Sequence, residues 1–425
     1  MTDHSFVAGQ SWSGDLPRDW VGISAKRIFD QSKQRAETGD EQLSVTQKQG
    51  VIRQNELLNA GQKVVLALAG TDAFKHVQVD DFVISLRSFQ GGIERSKVSG
   101  CVSPAYTVLR ASRSIAPGYW GYLFKSAAFI TSLRSIIDEG VRDGKSITYE
   151  QFGEVKVPLP PISVQRSIAT YLDRTTTRID TLVTKKTRFI ELLREKRQAM
   201  ITHAVTKGLD PNVPMKDSGT EWMGEVPAHW TVIQSRRLFA ERNEKAKEYD
   251  TQLTVSQKYG LLPQTEFMER EGRRVVVVQK GPEILKRAYA GDFVISMRSF
   301  QGGLEYSAHQ GSVSSAYVPL VPIKLVVPSY FRWLFKSSTY VQALQSTSDL
   351  VRDGQALRFE NFAKIPLPVV PDTEQLAIAN FLDRATSRID TLIAKTERSI
   401  ELLREHRTAL ITAAVTGKID LRETA

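Results

Sequence analysis

The chain has 425 residues, 41% hydrophobic and 24% charged, a composition that supports two to four folded domains and excludes a disordered polymer. Its net charge of +10 and pI near 9.5 favour a polyanionic partner, because each Lys or Arg near a phosphate adds salt-sensitive attraction. A single cysteine, Cys101, excludes a disulfide framework and a Cys metal site, and no run of 18 apolar residues exists to span a membrane.

The first 30 residues carry Asp3, Asp15 and Asp19 with no apolar run, so a cytoplasmic location is expected. A Pro-x-x-Trp element (Pro17 to Trp20) opens the chain, and SVTQKQG follows at 44 to 50. Val64 to Leu66 and Phe82 to Leu86 read as strands, with Gly91-Gly92 after the latter where a tight turn or a close backbone approach is expected. Tyr119 to Ile137 reads as helical, Arg142-Asp143-Gly144 as a turn, and the cluster Pro158, Pro160, Pro161 must break regular structure.

A long helix then runs from Gln165 to about Gly208. Its apolar positions Ile168, Leu172, Ile179, Leu182, Phe189, Leu193 and Met200 fall on steps of four and three, with Thr175, Lys186 and Lys196 in the gaps. That is a heptad seam over some 40 residues, roughly 60 Å at 1.5 Å per residue. The same helix carries ten Lys/Arg against four acids between Gln165 and Lys207. Residues 209 to 222 have the Pro, Gly, Asp and Ser content of a linker.

From there the chain repeats itself about 210 residues on. GEVPAHW (224 to 230) answers GDLPRDW (14 to 20), TVSQKYG (254 to 260) answers SVTQKQG, and DFVISMRSFQGGLE (292 to 305) answers DFVISLRSFQGGIE (81 to 94). Val275 to Val278, Phe293 to Met297, Gly302-Gly303, Tyr330 to Gln345, Arg352-Asp353-Gly354 and the prolines 366, 368 and 371 recur in order. A second heptad helix follows, with Ile378, Leu382, Ala385, Ile389, Leu392, Leu403 and Leu410. The period is too long for a solenoid, so a domain has been duplicated. A lone helix with one apolar stripe cannot stand in water, and antiparallel pairing of the two repeats buries both stripes. Two copies related by a pseudo-twofold suit a ligand with twofold symmetry, and double-stranded DNA is such a ligand.

No phosphate-cradling, dinucleotide, zinc-protease or nucleophile-elbow motif occurs, nor the Asn/Asp-Pro-Pro-Tyr tetrapeptide of amino-methyltransferases. Glu154-Val155-Lys156 has nuclease spacing but is not repeated, and the six histidines are scattered. Neither catalytic nor metal-ligating residues are therefore assigned. Nucleic-acid binding has more support. Arg87, Ser88 and Gln90 (Arg298, Ser299 and Gln301) join a guanidinium, a hydroxyl and an amide to glycines that bare the backbone, a set suited to phosphates and base edges. Gln47 and Lys48 (Gln257 and Lys258) form a second polar turn that reads equally as phosphate contact or as scaffold. Where the copies diverge, Gln279 and Lys280 lie in the stretch facing Leu68 to Asp72, and His76 faces Arg287; these positions are the specificity candidates. Beside the helix seam, Val183, Ile190, Ile393 and Ile400 offer a surface for partner helices.

Taken together, the duplication, the helix pattern Q-x-x-I-A-x-[YF]-L-D-x-x-T-x-R-I-D-x-L, the E-L-L-R-E-[KH]-R near its end and the linker G-L-D-P-N-V-P-M-K-D-S-G-T-E-W resemble the specificity subunits of type I restriction-modification systems. The resemblance implies an α+β protein with target-recognition domains at 1–160 and 209–370 (linker 209–222). Spacer helices at 161–208 and 371–425 form an antiparallel coiled coil with pseudo-twofold symmetry. It implies a non-catalytic reader of bipartite double-stranded DNA targets. It further implies methyltransferase subunits, two in number, that carry S-adenosylmethionine, and a restriction/translocase subunit that uses ATP and Mg. The alternative is a self-contained restriction-modification enzyme or nuclease. Because the two recognition domains match over most of their length, the half-sites are expected to share bases on opposite strands.

Overall fold

The computed structural model describes residues 16–47, 49–59, 61, 73–136, 147–274, 284–324, 326–347 and 357–419. The strands expected at 64–66 and 275–278 and the turns at 142–144 and 352–354 lie outside these residues. The chain divides into two compact units, residues 1–186 with 398–425, and residues 187–397.

In the first unit an antiparallel four-stranded sheet runs in the order Phe29–Ser32, Thr107–Ala111, Phe82–Ile84, Glu94–Arg95. Side chains alternate across a strand, and here both faces are covered. Phe82, Ile84 and Leu109 face a core with Phe29, Trp120 and Phe124, while Val83 and Val108 face a smaller one with Leu43, Val51, Val77 and Val102. Phe124 is the hub of the larger core, 5.1 Å from the Phe82 ring centroid at 89° and 4.8 Å from Phe129. The second unit repeats the arrangement, with Phe293, Ile295 and Leu320 on one side and Val294 on the other, and Phe335 in the place of Phe124. DFVI is thus the same in both copies because it is buried on both faces.

That strand is shorter than its sequence suggests. It ends at Ile84 and Ile295, and Ser88–Gly91 and Ser299–Gly302 each form one helical turn. The segment expected as one helix after Tyr119 is two, Pro117–Lys125 and Ala127–Ile136, and its repeat is Pro328–Leu334 and Ser338–Ser346. The linker is also more ordered than its composition implies. Met215–Asp217 pairs with Glu225–Pro227, and Trp222 donates its indole N–H to the Pro366 carbonyl at 3.2 Å.

Both long helices form, Ile162–Lys207 with 46 residues and Asp372–Val415 with 44. Each contributes one part to each unit, and within each unit the two parts are bridged by ion pairs, Arg407 with Asp180 at 3.0 Å in the first, Arg197 with Asp390 at 3.0 Å and Arg194 with Glu397 at 3.1 Å in the second. The seam keeps heptad spacing, with the expected column Leu172, Ile179 and Leu193 in place and the other column moved by one residue, from 182 and 189 to 183 and 190. Leu172, Thr176, Ile179, Ile190 and Leu193 are buried with Val183 half-buried, whereas Leu182, Phe189 and Leu192 are exposed. On the second helix Leu382, Thr386, Thr396, Ile400 and Leu410 are buried and Leu392 and Leu402 exposed. Threonine can occupy a seam when its hydroxyl bonds the carbonyl four residues back. Thr176, Thr386 and Thr396 do so at 2.7, 2.6 and 2.7 Å.

The last carbonyls of a helix have no partner inside it. Here the first helix after the sheet in each unit supplies one, since Tyr119 Oη donates to the Val415 carbonyl at 3.1 Å and Tyr330 Oη to the Val205 carbonyl at 2.8 Å. Both phenols are fully buried, and burial holds their pKa well above the ordinary value, so they remain donors. The Pro-x-x-Trp elements close the same ends. Gly417, at φ +74, lies against Pro17 and Trp20, and Gly208, at φ +76, against Pro227 and Trp230. These are the left-handed terminators that glycine favours. Tyr330→Phe should leave one buried carbonyl unpaired and lower unfolding free energy by about 1–3 kcal/mol. Chemical denaturation of the full chain measures it.

Candidate nucleic-acid interface

The shared turn is built from the strand end outward. As Phe82–Ile84 leaves the sheet, the Ser88 hydroxyl accepts the Ser85 N–H at 2.9 Å, and the Ser85 hydroxyl accepts the Arg87 N–H at 3.3 Å. Neighbours then clamp the turn. Gln47 Nε2 donates to the Arg87 carbonyl at 3.1 Å, and Arg134 donates to the carbonyls of Phe89 at 2.7 Å and Gln90 at 3.1 Å. Below it Lys125 pairs with Glu94 and also donates to the Gln47 carbonyl at 3.4 Å. Burial pushes the Glu94 carboxyl up despite this lysine, and the same holds for Glu305 beside Lys336.

The second copy is clamped alike. Ser299 accepts from Ser296 N–H at 2.9 Å, Gln257 Nε2 donates to the Arg298 carbonyl at 3.4 Å, and Gln345 Nε2 replaces the arginine by donating to the Phe300 carbonyl at 2.5 Å. The glycines admit close approach. A Cβ on Gly91 would lie 1.2 Å from Gln47 Oε1, and one on Gly302 2.5 Å from Gln257 Nε2.

Several expected site residues are brought together by this geometry and others are not. Arg87, Gln90, Arg298 and Gln301 are exposed, and neither guanidinium makes an ion pair among the described residues. Ser88 and Ser299 are fully buried and hold the turn, so they are corrected from contact residues to scaffold. The amides of Gln90, Gly91 and Gly92 already donate to Arg87 and Ser88 carbonyls, so the glycines do not bare the backbone to a ligand. Gln47 and Gln257 are struts. Lys258 is exposed and bridges to Glu271 at 3.3 Å, while Lys48, Gln279 and Lys280 lie outside the described residues.

His76 and Arg287 are corrected more sharply. They are 5% and 4% exposed, and each pairs with the equivalent buried aspartate: His76 Nδ1 lies 2.8 Å from Asp40, Arg287 Nε 3.2 Å from Asp250. Their divergence is an exchange of one internal partner for another. Ile190 and Ile400, at 6% and 7% exposed, belong to the helix seam, and Val183 and Ile393 are half-buried beside them. Leu86 and Met297, 38% and 48% exposed, escape a strand-based reading because the strand stops two residues earlier than its alternation implies. The signal was the serine after Ile84, whose hydroxyl starts the turn.

Two α+β units of one repeat, each closed by parts of both long helices, share the fold of type I specificity (HsdS) subunits. The HsdS subunit from Thermoanaerobacter tengcongensis superposes with a TM-score of 0.57 at 14% identity, covering 96% of this chain and 100% of that one. A chain from a structure of type I R-M complex assembly and conformational transition does so at 0.68 and 14%, covering 95% and 100%. In sequence the chain is 22% identical to the MjaX type I restriction enzyme specificity subunit of Methanocaldococcus jannaschii, over 96% of both proteins. It is 30% identical to the StySPI specificity subunit of Salmonella potsdam over 134 residues, 30% of this chain and 29% of that one. No protein-family model matches the chain.

Proposed function

We propose that the chain is the DNA-reading subunit of a type I restriction-modification complex, with recognition domains at 1–160 and 209–370 that each bind one half of a bipartite target. The observation that carries this reading is the repeated turn. Two clamped platforms present an exposed apolar residue, an Arg without an ion pair among the described residues and a Gln, the residue types that contact phosphates, guanine and adenine edges. Catalysis resides in partners: methyltransferase subunits, two in number, with S-adenosylmethionine, and a restriction/translocase subunit with ATP and Mg. No helix among the described residues is long and apolar enough to cross a membrane, and the complex works in the cytoplasm.

The outward columns of the long helices supply the docking surface, since Phe189 and Leu192 are 43% and 47% exposed on an element whose own seam is already filled. Phe189→Asp should reduce co-purification with the methyltransferase subunit at least tenfold while leaving the chain's thermal unfolding unchanged. The reading as a whole is tested by reconstituting the complex and sequencing methylated DNA. A bipartite target with one half altered by changes in each domain is the expected result, and DNA cleavage or methylation by the chain alone would refute it.

A further inference from the structure

The clamped turns have the same Arg and Gln in both domains, so they cannot make two half-sites differ. A discriminating element must lie beside them, be at least partly exposed, and differ in chemistry. The hairpin tip meets all three conditions. In the first unit Leu43–Thr46 and Gly50–Arg53 form the hairpin, and its tip residue Gln47 rests on the Arg87 carbonyl. In the second, Leu253–Ser256 and Gly260–Pro263 do the same through Gln257 and Arg298. The next described residue of the first tip is Gln49, exposed, with its backbone N–H on Thr46 Oγ1 at 3.0 Å. Its counterpart, Tyr259, is half-buried.

Around Tyr259 the second copy builds a cluster of charged side chains. Its hydroxyl donates to Glu271 Oε1 at 3.0 Å, Lys258 Nζ lies 4.7 Å from the ring centroid, and Arg270 Cζ lies 5.0 Å from it. Glu271 also holds Lys258 at 3.3 Å and Arg273 at 3.2 Å, and the Tyr259 and Lys258 contacts keep its carboxyl below the ordinary range. Arg270 and Glu271 end the helix Gln264–Glu271, which Gly272 closes at φ +64. The first copy has a shorter helix, Gln54–Asn59, and Ala60 and Gly61 stand where Arg270 and Glu271 stand in the repeat. One tip therefore presents an exposed amide, which suits an adenine edge. The other presents a pinned ring flanked by two cations whose side chains are 70% and 48% exposed.

We propose that Tyr259, pinned by Arg270 and Glu271, is a specificity-determining element that sets the second half-site apart from the first, where Gln49 takes its place. The inference rests on the DNA-reading function above. The bases under the shared turns are then common to both half-sites, and those under the hairpin tips are not.

The test uses the full chain assembled with its methyltransferase subunits on DNA libraries randomised in each half-site, read by sequencing of methylated products. The triple variant Tyr259→Gln, Arg270→Ala, Glu271→Gly should shift preference at one or two positions of the second half-site by tenfold or more toward the bases of the first, leaving the first unchanged. Gln49→Tyr, a single exposed replacement, should alter the first half-site only. Should the triple variant fail to assemble, Gln49→Tyr alone decides. Unchanged preferences at every position in the variants that assemble would overturn the proposal while the bipartite target itself upholds the DNA-reading function. A wild-type complex without a bipartite target would overturn both.

Discussion

Gly92→Ala is expected to lower the unfolding free energy of the first unit by at least about 3 kcal/mol, because strain and a backbone clash act together. Gly92 has φ +84 and ψ −172, a region open in practice to glycine alone, and a Cβ there would sit 2.0 Å from the Phe124 carbonyl oxygen. Phe124 is the hub of the aromatic core and cannot retreat without dislodging Phe82 and Phe129. Gly303 faces the Phe335 carbonyl at 1.8 Å and should respond alike. Gly39→Ala is the control. Its φ of +96 is equally unusual but nothing lies within 4 Å, so only the conformational cost of about 1–2 kcal/mol remains. Denaturant unfolding of the full chain measures the three variants, and equal losses at Gly39 and Gly92 would show that the carbonyl contact contributes nothing.

The glycine pair illustrates what could be read from residues alone. Its position after a strand announced a close approach, and the partner, a main-chain carbonyl from a helix some thirty residues on, carries no residue signature. Duplication, the α+β character and the antiparallel helices were legible because each rests on period or repetition. The exact line of one seam column was not, since apolar residues stand side by side at 182/183, 189/190 and 392/393, so either member of each pair satisfies steps of four and three. The deciding residues are threonines, polar in sequence and apolar in effect once their hydroxyls turn back on the helix. Gln165 escaped for a similar reason. Within the Q-x-x-I-A pattern it reads as a helix-face residue, yet it is buried, accepts from Ala116 N–H at 3.0 Å and Trp120 Nε1 at 3.1 Å, and donates to the Pro160 carbonyl at 2.9 Å. His76 and Arg287 misled in the opposite direction, because divergence between copies marks compensated interior pairs as readily as reading surfaces.

The exposed residues of the clamped turn yield the second large effect. In the assembled complex, Arg87→Ala and Arg298→Ala should each weaken target binding by about ten- to a hundredfold, corresponding to the roughly 1–3 kcal/mol of a bidentate contact to guanine. The chain itself should be unaffected to within about 0.5 kcal/mol, since neither guanidinium has an ion-pair partner to lose among the described residues. The two sites lie in separate units, so their effects should add, and the double variant should lose about 10²- to 10⁴-fold. Salt separates the two ways an arginine can act. If Arg87 reads a base, the loss falls on one position of one half-site and the slope of affinity against salt hardly moves. If it holds a phosphate, binding weakens uniformly across sequences and the slope falls by about one. Base reading at both turns makes the half-sites share a base on opposite strands, and competition titrations at two salt concentrations, with each half-site varied in turn, resolve the choice. Equal binding by wild type and the double variant would remove the turn from the interface and leave the hairpin tips to carry recognition.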